Sequence, residues 1–266
     1  MDQNAMNDSL SASYQAGLRS FREACAAWAS DVESAKTEMQ FESLRDWNLL
    51  YSLQDVETWF ESARRNCSMQ VQDIPLKECR NWNINSETGE ITHESGEFFK
   101  IQGIRITQSA GREVGELGWD QPILTQIGFD GGLLGIVRRR FEGIPHYLLE
   151  AKAEPGNYEK VQISPTLQAT FSNLRRAHKG NKPRFAEVFE NPDPACMKVL
   201  FDEWLSEDGG RLHLKRNRGM LIEIDESCDL GPLPSNFRWL SFYQIQTLLK
   251  KDAWVGPHVR GILAYF

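Results

Sequence analysis

Three observations predict an α+β protein, a mixed β-sheet body behind an N-terminal helical extension. Before about Arg65 the apolar residues recur at helical spacing. From about Gln72 short apolar runs with alternation take over, and Gly, Asn and Pro separate them. The composition, 41% hydrophobic and 25% charged over 266 residues, is that of an ordinary globular chain with room for a sizeable core.

In chain order, residues 1–10 are polar and loose. From about Ala12 to Lys36, Leu18, Phe21, Cys25, Trp28 and Val32 step by three and four, which predicts a helix. A second helical stretch runs from about Phe41 to Arg65, with Leu49, Leu50, Leu53, Val56, Trp59 and Phe60 on its apolar side. The two form a helical hairpin packed on the body or on another subunit. The division that follows is an extension over 1–55 and a module over 56–266. Strands are predicted at Phe98–Ile106, Pro122–Ile127, Leu133–Arg139, His146–Glu154, Val161–Ile163 and Met220–Ile224. Pro194–Leu205 reads as a helix, and Pro165–Asn173 is ambiguous between strand and helix. Ser241 with Gln244 three residues on is the pattern of a capping box.

Charge narrows the partners. Residues 1–55 hold nine acids and four bases, while the remainder holds 28 and 26. A nearly neutral body lacks the broad basic face that nucleic-acid binding needs, so an anionic ligand requires a local cluster. The stretch Arg175, Arg176, His178, Lys179, Lys182, Arg184 lacks interleaved aromatics and reads as a solvated loop. Five widely spaced cysteines without a CxxC pair argue against zinc and redox motifs, and fit free thiols in a reducing cytoplasm. No long uncharged apolar run suggests a signal peptide or a membrane span.

Three clusters carry candidate chemistry. In the stretch His146–Asn157, strand alternation puts Tyr147, Leu149, Ala151 and Ala153 on one face and His146, Leu148, Glu150, Lys152 and Glu154 on the other. The second set is costly to bury unless its groups pair or meet a ligand. A solvent-facing strand is the plainer account, and the pattern alone leans that way. The second cluster is Gly111-Arg112-Glu113-Val114 with Trp119-Asp120-Gln121-Pro122, where an Arg fork suits phosphate oxygens and a Trp ring suits a base. The third is Glu207-Asp208-Gly209-Gly210-Arg211 with Asn217-Arg218, either a site with close backbone approach or a hairpin turn among surface charges. No Rossmann GxGxxG after a strand, P-loop, HExxH or GxSxG occurs.

The order of these clusters resembles the NDP-hexose 2,3-dehydratases of deoxysugar biosynthesis. Trp82, the run Gly89–Phe99, Arg112-Glu113-Val114, Trp119-Asp120-Gln121-Pro122, His146 and Ala151–Asn157 come in the order seen in that family. Val161-Gln162, Ser164–Thr170, Glu207–Arg211, Asn217-Arg218 and Trp239-Leu240 follow, so the likeness spans about residues 56–266. It implies a fold related to Nudix hydrolases without their Glu-rich metal box, which is missing here. It also implies a dTDP-linked 4-keto-6-deoxyglucose substrate, loss of water across C2 and C3, and no metal or other cofactor. Typical members carry two tandem modules. One module plus an extension is expected to dimerise, or to serve both roles alone.

On that resemblance Glu154, His146, Lys152 and Glu207 are the candidate catalytic residues. Glu154 or His146 serves as the base at C3, Glu154 being favoured, and the other assists loss of the C2 hydroxyl. Lys152 steadies the enolate or binds phosphate, and Glu207 is the alternative base should Lys152 and Glu154 merely support one another. The candidate binding residues are Arg112, Trp119 and Gln121, then Asn157, Gln162, Thr166, Gln168, Thr170 and Asn173, then Gly210, Arg211, Asn217 and Arg218. Arg112, Arg211 and Arg218 lead as pyrophosphate ligands. A non-catalytic sugar-nucleotide-binding protein and an epimerase or isomerase on a similar substrate are the competing readings.

Overall fold

A computed structural model describes residues 3–26, 34–107, 118–175 and 181–266. Trp28, Val32, the segment with Arg112, and Arg176, His178 and Lys179 lie outside these. The chain opens with helices α1 (Gln3–Ala26), α2 (Ser34–Glu42) and α3 (Leu53–Arg65). Strands β1 (Trp82–Ile84), β2 (Ile91–His93), β3 (Phe99–Ile106) and β4 (Trp119–Gln126) follow. Next come β5 (Gly132–Phe141), β6 (Ile144–Ala153), β7 (Val161–Ser164), β8 (Leu167–Thr170), α4 (Phe171–Leu174) and α5 (Ala186–Glu190). The last elements are β9 (Met197–Ser206), β10 (Leu212–His213), β11 (Arg216–Ile224), β12 (Phe237–Leu240), α6 (Phe242–Leu248) and α7 (Pro257–Leu263).

These strands make two mixed sheets, the α+β architecture expected. The smaller runs β1-β2-β3-β4-β10, with only the β4–β10 pair parallel. The larger runs β12-β6-β5-β11-β9, with β5 and β11 parallel. Both faces of the larger sheet are covered. Tyr147, Leu149, Leu134 and Ile136 pack with α3, α6 and α7 on one face. Leu133, Val137, Leu148, Met220 and Ile222 pack with α5 and Trp239 on the other. Strand β6 is therefore central, and a solvent-facing reading holds only toward its end, where Glu150, Lys152 and Ala153 are half-buried.

The larger sheet is forked. β5 pairs with β6 over Val137–Phe141 and with β8 over Gly132–Gly135. β6 in turn leaves β5 after Leu148 and pairs with β7 over Glu150–Ala153. At the fork, buried Thr166 takes the N–H of Val137 on its hydroxyl oxygen at 2.9 Å and gives its proton to the Leu148 carbonyl. One side chain thus satisfies two backbone groups that the splayed strands leave without each other.

Four element assignments are corrected, and the first is the start of the chain, where α1 begins at Gln3 inside the stretch expected to be loose. Pro194–Leu205 is not a helix: Met197–Ser206 is an edge strand antiparallel to β11, and exposure on that edge blurs its alternation. The second helical stretch is broken after Glu42 and restarts at Leu53. Asp46 accepts the backbone N–H of Asn48 at 3.2 Å, and Ser52 and Asp55 form a capping box, so local polar closures override the apolar spacing. Pro165–Asn173 is both things in turn, strand β8 and then the short helix α4. The extension packs on its own body. Tyr14, Leu18, Phe41 and Trp47 enclose Ile144, and Met39 enters the main core.

Candidate functional site

The sheet brings polar side chains together at two places, and β8 runs between them. The first is the open end of β6. Glu150, Lys152 and Glu154 share one face, as alternation requires, and cross-strand pairing sets Ser164 beside Glu150 and Gln162 beside Lys152. Lys152 Nζ lies 3.6 Å from Glu154 Oε1 and donates to the Gln168 carbonyl at 3.2 Å. Glu150 accepts from Asn236 Nδ2 at 3.0 Å, and burial raises its pKa against the opposing charge of Lys152. A carboxyl whose pKa burial raises thus sits on the same face as an ammonium, with a more exposed carboxylate on its far side.

The second is at the start of β11. His258 Nε2 lies 3.0 Å from Glu207 Oε1, Asn217 Nδ2 donates to the same oxygen, and Lys215 Nζ donates to Asn217 Oδ1 at 2.6 Å. His258 beside Glu207 holds that carboxyl below the usual value, while burial pushes the Lys215 ammonium down. A histidine that donates Nε2–H to a carboxylate keeps Nδ1 as an acceptor, an arrangement suited to proton transfer. Gly132 is required here: a Cβ would stand 2.7 Å from Asn217 Oδ1 and 2.8 Å from the Ala169 carbonyl. Thr170 pairs with Gly132, and Gln168 lies two residues earlier, roughly 7 Å along the strand.

The other predicted residues fall as follows. Trp119 Nε1 donates to Gln121 Oε1 at 2.7 Å, and Gln121 Nε2 donates to the Gly210 carbonyl at 3.0 Å, so the second and third sequence clusters meet. Arg211 is largely exposed, 3.5 Å from Asp208. Arg218 is engaged by Asp202 through two bonds of 2.6 and 2.5 Å, which leaves it a poor phosphate ligand without rearrangement. Asn157 closes the turn after β6 by donating to the Lys160 carbonyl, and Thr170 caps α4 by accepting the N–H of Asn173. Thr166 is occupied at the fork. His146 is apart from the rest: it is 1% exposed, about 20 Å along the strand from Lys152, and accepts the N–H of Leu49 at 3.2 Å. Burial lowers its pKa to about 4. It joins the extension to the body instead of meeting Lys152 and Glu154.

Glu150, Asn236, Lys215 and His258 were not singled out from sequence. Glu150 shares the face of Lys152 and was within reach of the alternation argument. The other three come from loops and a helix start far along the chain, where no local pattern marks them. Among the described residues, no group of three or more His, Cys, Asp or Glu side chains is gathered for a metal ion.

Strand ends, loops and the start of α7 thus gather carboxylates, lysines and a histidine on an α+β body. The profile of the NDP-hexose 2,3-dehydratase family matches residues 53–266, and the chain belongs to that family. Relatives include a protein of Amycolatopsis orientalis named dTDP-4-dehydro-6-deoxy-alpha-D-glucopyranose 2,3-dehydratase, 35% identical over 79% of this chain and 44% of its own length. A Saccharopolyspora spinosa protein of the same name is 32% identical over 91% of this chain and 48% of its own. The chain thus spans about half the length of these relatives. Among solved structures, a Nudix hydrolase from M. smegmatis aligns at 14% identity over 61% of this chain and 97% of its own, with a TM-score of 0.30, too low to carry an argument.

Proposed function

We propose that the protein removes water across C2 and C3 of a dTDP-linked 4-keto-6-deoxyhexose and yields a 3,4-diketo-2,6-dideoxy sugar. The observation that carries this reading is the file of Glu150, Lys152 and Glu154 on one face, with Lys152 Nζ 3.6 Å from Glu154 and a half-buried Glu150 carboxyl held by Asn236. Glu154 takes the C3 proton, which the C4 ketone acidifies. The electron pair moves to the C4 oxygen, where the Lys152 ammonium stabilises the enolate. Collapse of the enolate expels the C2 hydroxyl, which takes the Glu150 proton and leaves as water. The resulting C2–C3 enol tautomerises to the C3 ketone, and transfer of the proton from Glu154 to Glu150 restores the starting state.

The test is Glu154→Gln, which keeps the shape and removes the basicity. Dehydration and solvent-deuterium exchange at C3 should both fall by about 10²–10⁴-fold, while dTDP binding persists. Wild-type turnover in that variant would transfer the role of base to the Glu207–His258 pair.

The same reading includes a homodimer in the cytoplasm that needs neither nucleic acid nor a membrane. All five cysteines are free, as a reducing compartment favours. No helix among the described residues is long and apolar enough to cross a membrane. Phe129, Trp204 and Leu214 expose large apolar side chains near one another, since Phe129 lies against His213 and the Gly131 backbone abuts Trp204. A twofold contact over them would cover this patch. Sedimentation that shows only monomer at roughly tens of micromolar would count against it.

A further inference from the structure

A cleft of about 1120 Å³ lies on the other face of β6 from Lys152 and Glu154. Helix α3 forms one wall with Thr58 and Trp59, Ala151 and Ala153 form the floor, and Arg238 and Asn236 stand at the β12 side. Arg238 comes from an edge strand, opposite Leu149 and on the face that α3 covers. Its guanidinium stacks 4.8 Å from the Tyr51 ring centroid and 5.9 Å from that of Trp59. Among the described residues its side-chain hydrogen bond is a long one, 3.4 Å to the Tyr51 hydroxyl. Among the described residues no carboxylate pairs with it. Asp55 lines the same cleft, but its carboxylate is taken by the backbone and hydroxyl of Ser52. A half-buried cation beside two aromatic rings, lining an open cleft, suits a planar ligand that carries phosphate.

The cleft also meets the acid–base face. Pairing of β12 with β6 ends at Phe237 opposite Glu150, and the next bond is from the Ala151 N–H to the Asn236 carbonyl at 2.8 Å. The Asn236 side chain lines the cleft while its Nδ2 donates to Glu150. A ligand seated on Arg238 would therefore extend past Asn236 toward Glu150.

We propose that this cleft binds the nucleoside diphosphate half of the substrate, with Arg238 on the pyrophosphate and Tyr51 and Trp59 beside the base. This rests on the dehydratase reading for the identity of the nucleotide. It makes Arg238 a binding residue that the sequence motifs did not mark, and it fits the engagement of Arg218 by Asp202. The alternative is that Arg238 only blunts a sheet edge and covers Trp59 with its stem.

The experiment is calorimetric titration of the full chain with dTDP, for the wild type, Arg238→Gln and Thr58→Trp. Thr58 is exposed on α3, so a Trp there fills the cleft without touching Arg238 or the core. Both variants should lose about tenfold or more in dTDP affinity, with unchanged thermal unfolding for Thr58→Trp. Turnover of dTDP-4-keto-6-deoxyglucose, read by mass as the loss of one water, is measured on the same preparations. Wild-type affinity in both variants overturns the cleft as the nucleotide site and leaves the dehydratase reading standing. Absence of both dTDP binding and turnover in the wild type overturns both. A lowered Arg238→Gln melting temperature with dTDP affinity intact identifies the edge-strand role and also overturns the proposal.

Discussion

Leu49 donates its N–H to Nε2 of His146, and Nδ1 lies 3.1 Å from the Ile144 carbonyl. An acceptor at Nε2 and a carbonyl at Nδ1 require the neutral ring with its proton on Nδ1. Burial takes the pKa from 6.5 to about 4, because charging the ring would strand an ion under the extension. Between those values the unfolded chain binds a proton that the folded chain does not. Stability is complete above pH 6.5 and falls as acid is added, by about 3 kcal/mol in all once pH passes 4. In His146→Gln that loss should vanish, since an amide can accept from Leu49 and has no charge to gain. Denaturant midpoints of the two proteins at several pH values check this. Identical acid slopes would mean that His146 titrates freely. The same residue shows why a family motif is not yet a site: alternation correctly put His146 on the face of Lys152, but a strand face is long. Only the packing of the extension over its near end separates a joint from an acid–base group.

Among the elements, those legible in the sequence are the ones whose surroundings are simple. β5 and β6 are central, so their apolar runs are dense, and Ser241 to Gln244 is a complete local signal, confirmed as a capping box. The edge strand β9 and the three-residue β1 and β2 bury little, so their side chains carry weak alternation. Helix α3 shows the opposite case. Its start was written locally, in Ser52 and Asp55, but the longer apolar spacing through Phe41–Arg65 concealed it. The site divides along the same line. Lys152, Glu154 and Gln162 lie on adjacent strands, and both their face and their motif could be read. The Glu207 cluster depends on the antiparallel β9–β11 pairing and on α7 arriving from far along the chain. Nothing local in the sequence encodes that meeting of Glu207 with His258.

Across the whole molecule, the extension is tied to the body through buried charge. Arg138, 1% exposed, reaches Glu38 at 3.0 Å and Glu42 at 2.7 Å from α2, and Glu223 from β11. Tyr14 donates to Glu38 and Tyr147 to Glu42, each at 2.8 Å, and Arg140 also engages Glu38. Arg138 and Arg140 therefore serve three carboxylates, and Arg22 stands 3.9 Å from Glu38 as well. Glu38 faces Arg138 and Arg140, and their bonds and charges override its burial and take its pKa to about 2. Glu42 shares Arg138 with its neighbours, and burial pushes it up to about 7. The folded chain then holds a proton on Glu42 that the unfolded chain releases above pH 4.5. This contribution to stability is present in acid and is lost as pH rises through about 7, opposite in sign to that of His146. Glu42→Gln can accept Arg138 on its one oxygen but must turn its amide N–H toward the Tyr147 hydroxyl, and it has no proton to lose, so its stability relative to the wild type should rise from pH 5 to pH 8. Arg138→Met should cost about 3–5 kcal/mol near pH 8, because it leaves the buried Glu42 carboxylate without a cation, and the loss should shrink near pH 5 as Glu42 protonates. Chemical denaturation at the two pH values measures both effects. A pH-independent loss in Arg138→Met would show that its stem, and not its charge, holds the extension in place.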